Sequence, residues 1–280
     1  MDNEIKFTVL VPVYAKEKAE NFKLALDSIL NQTLLPNEIL IIEDGVLGKD
    51  LELIVEKVEK QYSDIVRVIR LERNIGIGKV RALGVEECKY EWLAFMDSDD
   101  ISLPDRFEKQ ITYIKQHPDI DMLGGQVTEF DTTPDNIISK RIMPLEHNEI
   151  YEFAKFRNPM NNVSIMFKKS LALKIGNYKI DYGFEDYEFI VRYLFNGYKV
   201  ENIPDILVNV RSGQWMMNRR QGLEYFFKYE YVCMKAFWDM GFINYWEFLR
   251  NVLLKFPLRV MPNWMRNLIY KKVLREKVNE

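Results

Sequence analysis

The chain has 280 residues, enough to bury a full core as one large domain or as a domain with an extension. Its 48% hydrophobic and 29% charged content is that of a globular protein and excludes a disordered one. The net charge of -3 argues against general nucleic-acid binding, but it is unevenly spread: from Tyr245 onward 8 Lys or Arg face 3 Glu, a local +5 that leaves -8 before it.

Cys88 and Cys233 are far apart with no CxxC spacing, so neither a zinc site nor a disulfide framework is expected, and a reducing cytosolic setting fits. The acidic start (Asp2, Glu4) and the short apolar run from Phe7 to Val13 predict a strand rather than a secretory signal. No run of about 18 apolar residues predicts a spanning helix, so a soluble or surface-associated protein is expected.

In chain order, "KFTVLVPV", "EILIIE", "IVRVIRL" and "WLAFMD" are nearly continuous in apolar residues, the pattern of strands buried on both faces. Between them Glu17 to Asn31, Asp50 to Gln61 and Gly78 to Cys88 have apolar residues at helical spacing. The alternation predicts βαβ units and a largely parallel sheet. Ligands of such sheets bind beyond the carboxyl ends of the strands, which here carry "PVYA", "EDGV", "ERNIG" and "DSDD". After Pro104 a helix is predicted from Asp105 to His117, then a strand in "IDMLGGQVTEF", and a loop from Asp131 to Lys140. From Trp215 onward the sequence is mostly helical, with breaks expected at Pro257 and Pro262.

The acids of "FMDSDD" admit two readings, a solvated turn after a buried strand or a site for a hard divalent cation that also holds a phosphate-bearing substrate. An EF-hand is excluded because Ser102 stands where that loop needs glycine. His117 and His147 lie outside every motif, and surface or helix-end roles are expected for both.

As an ordered set, "VPVYA", "IIEDG", "RNIGIGKVRALG", "DSDD", "NPMNNVSIMF" and "GFEDYEFIVRYL" resemble the inverting GT-A glycosyltransferases of family 2, and among them bacterial capsule and exopolysaccharide enzymes of the amylovoran type. The resemblance spans nearly the whole chain. It implies a GT-A α/β fold, with a Rossmann-like nucleotide-binding half and a mixed central sheet flanked by helices. The catalytic domain is expected over 1–215, with a helical extension over 216–280.

The implied activity is metal-dependent transfer, with inversion, of a sugar from a nucleotide-sugar, a UDP-sugar by preference. The implied acceptor is a saccharide or a polyprenyl-diphosphate-linked glycan. By this resemblance Pro12, Tyr14, Asp44, Asn74, Arg81, Asp97 and Ser98 contact the donor, with Tyr14 stacking on the base and Asp44 accepting from it. Asp99, with Asp97, holds Mn²⁺ or Mg²⁺, and Asp100 braces the loop. Asp186 is the implied general base, Glu185 positions the acceptor, and Asn161 and Asn162 line the acceptor or sugar pocket.

The sequence departs from the family pattern at Glu43, where Asp is commoner, at Leu83 (Asn) and at Asn162 (His). Arg219 and Arg220 in "MNRRQG" are expected either to clamp a pyrophosphate or to be solvated, and Gln221 replaces a usual glycine. The basic, aromatic stretch from Tyr245 suits either the surface of an anionic membrane or packing on the catalytic domain. A non-catalytic scaffold subunit with the same fold is the alternative function. Nucleotidyl transfer is disfavoured by the missing glycine-rich, lysine-bearing N-terminal loop.

Overall fold

The near-continuous apolar runs fold as strands covered on both faces. The computed structural model describes residues 4–179, 183–212 and 222–260. In it β1 (Phe7–Tyr14), β2 (Glu38–Asp44), β3 (Val66–Arg70) and β4 (Trp92–Phe95) run parallel in the spatial order β3-β2-β1-β4. Successive side chains on a strand point to opposite faces. Leu10, Leu40 and Phe95 therefore enter one core beneath α3 (Ile77–Glu87), while Val9, Ile39 and Ala94 enter a second beneath α1 (Ala19–Leu30) and α2 (Lys49–Gln61). The chain winds outward from β1 to β3 and returns to place β4 on the other side of β1, which opens a crevice between the ends of β1 and β4.

Beyond β4 the sheet turns mixed. β5 (Ile101–Ser102) is an edge strand, and α4 (Arg106–Gln116) leads into β6 (Met122–Phe130). β8 (Met166–Lys168) pairs antiparallel with both β4 and β6, and β9 (Val200–Arg211) pairs parallel with β6. The expected loop over 131–140 is partly a strand, β7 (Ile137–Arg141), antiparallel to β6. Its polar composition hid it, because its stability comes from the partner strand: the Ser139 hydroxyl donates to Glu129, and Arg141 pairs with that carboxylate at 3.2 Å.

α5 (His147–Ala154), a 3-10 turn (Asn162–Ser164), α6 (Lys169–Lys174) and α7 (Glu185–Phe195) complete the layer over the first core. His147 opens α5 and accepts from the Val200 N–H, while His117 follows the last residue of α4 and stacks on Tyr113. Both have helix-end places.

The C-terminal part continues that first core. α8 (Gly222–Tyr225), a π-helical turn (Phe226–Glu230), α9 (Tyr231–Asp239) and α10 (Tyr245–Val260) contribute Phe226, Met234, Phe237 and Phe248 to it, and the Phe237 ring meets Tyr187 of α7 edge-on at 4.8 Å. The break expected at Pro257 does not occur, and α10 runs through it. Proline removes the hydrogen bond to the carbonyl four residues back, which belongs to Leu253, an exposed position where water can take the donor's place. Pro262, Arg219, Arg220 and the rest of the basic tail lie outside the described residues. Among the described residues no helix is long and apolar enough to cross a membrane.

Candidate active site

The crevice is walled first by the ends of β1 and β2. Pro12 is buried within β1, beside Ile42 of β2, whereas Tyr14 at the strand's end is 41% exposed with its ring available for stacking. Asp44 ends β2, buried. Its carboxylate accepts from the Ile75 N–H at 2.6 Å, the Asn74 Nδ2 at 2.8 Å and the Gly76 N–H at 3.2 Å. A carboxylate has about four acceptor positions, so these three donors fix the 74–76 turn and leave capacity for one more. Gly45 adopts φ 91°, and a Cβ there would stand 2.7 Å from the Asn74 nitrogen, so glycine lets the two loops touch. Glu43 is buried beside Arg70 at 3.4 Å, and burial raises its pKa against that arginine.

The acid-rich turn after β4 is held from three sides. The Ser98 hydroxyl donates to Glu17 at 3.0 Å, in the turn that follows β1. Asp100 is buried and accepts from the Arg211 N–H of β9 at 2.8 Å, a bracing contact, while Arg211 Nε donates to the Asp99 carbonyl at 3.2 Å. From beneath, fully buried Arg106 at the start of α4 donates to the Phe95 carbonyl at 2.8 Å and to Gln110 at 3.2 Å. Burial lowers the Arg106 pKa to about 9, opposed by the charges of Asp100 and Asp97.

Burial, Asp97 and Glu17 push Asp99 up to about 7, and burial with Asp99 and Asp97 raises Asp100 well above the usual carboxylate range. This is an excess of negative charge that a divalent cation would neutralise. Among the described residues no three His, Cys, Asp or Glu form a ready-made cage. Mg²⁺-type sites do not require one, since one or two carboxylates, waters and substrate phosphates suffice.

Arg81 joins this turn to α7. Its buried guanidinium lies over the Phe95 ring, donates to Glu185 at 3.0 Å and approaches Asp97 at 3.4 Å. Burial alone would lower its pKa, but Asp97 and Glu185 more than reverse that and hold the charge. Glu185 is raised by burial and by Asp186, with Arg81 opposing. Asp186 sits in the first turn of α7, where its carboxylate accepts from the Tyr187 N–H at 2.8 Å and from Asn158 Nδ2 at 3.3 Å. Asp97, Arg81, Glu185 and Asp186 thus share one side of the molecule.

The "NPMNN" stretch spreads its asparagines over different tasks. Asn158 reaches Asp186, whereas Asn161 is buried and donates to the Gly125 and Arg141 carbonyls at 2.9 and 3.4 Å, which fixes backbone. Both amide atoms of Asn162 are buried without a hydrogen-bond partner among the described residues. The Phe95 N–H donates to the Ile165 carbonyl at 3.2 Å, which continues the β4–β8 pairing to the end of the 3-10 turn that holds Asn162. Glu17, Arg106, Asn158 and Arg211 were not singled out by sequence reasoning. Only Asn158 had a usable signal, because it lies within a recognised motif.

The chain matches the description Glycosyl transferase family 2 over residues 8–176. It is 35% identical over 269 residues to the amylovoran biosynthesis glycosyltransferase AmsE of Erwinia amylovora, covering 95% of this chain and 98% of that one. It is 31% identical over 275 residues to the UDP-Gal:alpha-D-GlcNAc-diphosphoundecaprenol beta-1,3-galactosyltransferase of Escherichia coli, covering 98% of each. S. aureus TarS 1-349 in complex with UDP-GlcNAc superposes with a TM-score of 0.67 at 19% identity, over 96% of this chain and 76% of that one. The mannosyltransferase PcManGT from Pyrobaculum calidifontis, in complex with GDP-Man and Mn2+, gives 0.66 at 15% identity over 95% and 73%. At these identities the two structures establish the GT-A-like α/β fold.

Proposed function

The chain belongs to glycosyl transferase family 2, and from that premise we propose that it transfers a sugar, with inversion, from a UDP-sugar to a lipid-linked or growing saccharide of a bacterial surface polysaccharide. It is a glycosyltransferase, and its relatives act in polysaccharide biosynthesis. A single observation carries the reading of the site: one buried arginine, Arg81, reaches both the donor-side Asp97 and the acceptor-side Glu185.

In this reading Tyr14 stacks on the base, Asp44 offers its remaining acceptor position to it, and Asn74, Arg81 and Ser98 shape the phosphate side. Asp99 and Asp97 would hold Mn²⁺ or Mg²⁺, which when bound neutralises charge on the departing diphosphate. The Asp186 carboxylate takes the proton of the acceptor hydroxyl as that oxygen bonds to the anomeric carbon. The bond from that carbon to the diphosphate breaks, and its electron pair leaves with the nucleotide. Glu185, held by Arg81, positions the acceptor, and Asn162, its amide buried and uncommitted, lies behind the sugar or acceptor pocket. Arg219 and Arg220 serve the pyrophosphate.

Apart from Arg219 and Arg220, the residues of this chemistry lie in the first 215, and residues 216–280 bring the enzyme to the cytoplasmic face of an anionic membrane, where a lipid-linked acceptor resides. The test is turnover of UDP-sugars with Mn²⁺. Asp186→Asn and Asp99→Ala should each lower kcat/KM by about 10²-fold or more. A wild-type protein that binds the nucleotide-sugar without turning it over, with any acceptor, is a scaffold instead.

A further inference from the structure

The last helix among the described residues carries large apolar side chains on its outer face as well as on its inner one. On α10, Phe248, Asn251, Lys255 and Arg259 face the protein. Asn251 is buried and donates to the Lys155 carbonyl at 2.7 Å. Arg259 Nε donates to the buried Glu230 carboxylate at 2.6 Å, and Lys255 Nζ stands 3.7 Å from it. The opposite face holds Trp246, Leu253 and Val260, seven residues apart and hence on one stripe, with Leu254 at its flank. They are 73%, 62%, 45% and 53% exposed, and the exposed Arg250 and Pro257 fill the same stripe. An ordinary surface helix keeps large apolar side chains off its solvent face.

We propose that this stripe is a docking surface for an anionic phospholipid bilayer, with Trp246, Leu253 and Leu254 entering the boundary between headgroups and acyl chains. The proposal rests on the membrane-side acceptor read above and gives that contact its surface. It also changes how the helix contributes: Lys255 and Arg259 are committed to Glu230, so α10 docks through apolar side chains. The Arg250 guanidinium donates to Asn251 and lies over the Phe156 ring, so attraction to anionic lipid falls to residues 261–280, which carry 5 Lys or Arg against 2 Glu, a net +3, directly after Val260. Charge complementarity therefore selects an anionic surface. A second copy of the chain is a poorer occupant, because a stable dimer needs about 800 Å² from each partner, more than a few side chains on one helix supply.

Cys88 and Cys233 are buried, so Leu253→Cys can be labelled selectively with an environment-sensitive dye. With phosphatidylglycerol-containing vesicles the dye should shift to the blue, and with pure phosphatidylcholine much less. Leu254→Glu, a change at an exposed position, should weaken vesicle partition by about tenfold or more, the scale of one leucine's transfer. An unshifted dye, equal partition of the Leu254→Glu variant, or a dye response caused by self-association without vesicles would each overturn the proposal. Release of UDP from the donor without vesicles, measured in parallel, separates the two readings. Leu254→Glu should leave that release unchanged, and a wild-type protein that docks yet releases no UDP fails as a transferase while the surface stands.

Discussion

At the scale of single residues, Asp99 concentrates the electrostatics of the site. Burial and the charges of Asp97 and Glu17 hold its carboxyl at about 7 against an ordinary 3.8. A metal needs the deprotonated form, so Mn²⁺ affinity should fall roughly tenfold per pH unit below about 7, measurable by calorimetric titration between pH 5.5 and 8. The sign for stability is the opposite. Between about 4 and about 7 the folded state binds this proton and the unfolded chain does not, so the Asp99 contribution to metal-free stability is lost as pH rises through that window. Asp99→Asn removes the titration. Urea denaturation should find that variant stabilised relative to wild type at pH 8, and much less so at pH 5.

At the scale of elements, the crevice depends on how closely α3 lies on β1. Gly84 permits the approach, because a Cβ there would run into the Leu10 side chain. Gly84→Ala should cost about 1–3 kcal/mol by overpacking, read from the denaturation midpoint, with a larger loss of donor affinity than of fold because Arg81 rides on the same helix. Such elements were legible in the sequence where local pattern decides them. The four parallel strands and α1 to α4 came from apolar runs and helical spacing, and their ends moved by a few residues at most. β7 was not legible, since a Ser- and Lys-containing segment becomes a strand only through Glu129 and the β6 backbone. Pro257 misled for a related reason: its cost depends on which side of the helix faces water. In the site, Asp97, Asp99, Glu185 and Asp186 stood out as acids in motifs. Arg106 and Glu17 did not, because an arginine beneath a strand end and a carboxylate across a crevice acquire their roles only from contacts distant in sequence.

At the scale of the whole molecule, one arginine ties together two parts of the candidate site that are distant in sequence. Arg81 lies between the acid turn after β4 and the first turn of α7, 104 residues from Glu185. Removing one partner of a buried pair leaves the others desolvated and unpaired, a loss of about 3–5 kcal/mol. Arg81→Met should therefore lower the thermal midpoint and turnover together. The double variant with Glu185→Gln should recover part of the stability but not the turnover, and strictly additive losses in the double variant would rule out this coupling.

The Asp44 carboxylate, with its three backbone and amide donors from the 74–76 turn, has a consequence for timing. The ordering of that turn is completed once, when the chain folds, rather than repeated in every catalytic cycle. On the proposed reading, a nucleotide arriving beside Tyr14 would meet a wall that is already set, so its capture would proceed as rigid docking with little of its binding energy going into arranging the loop.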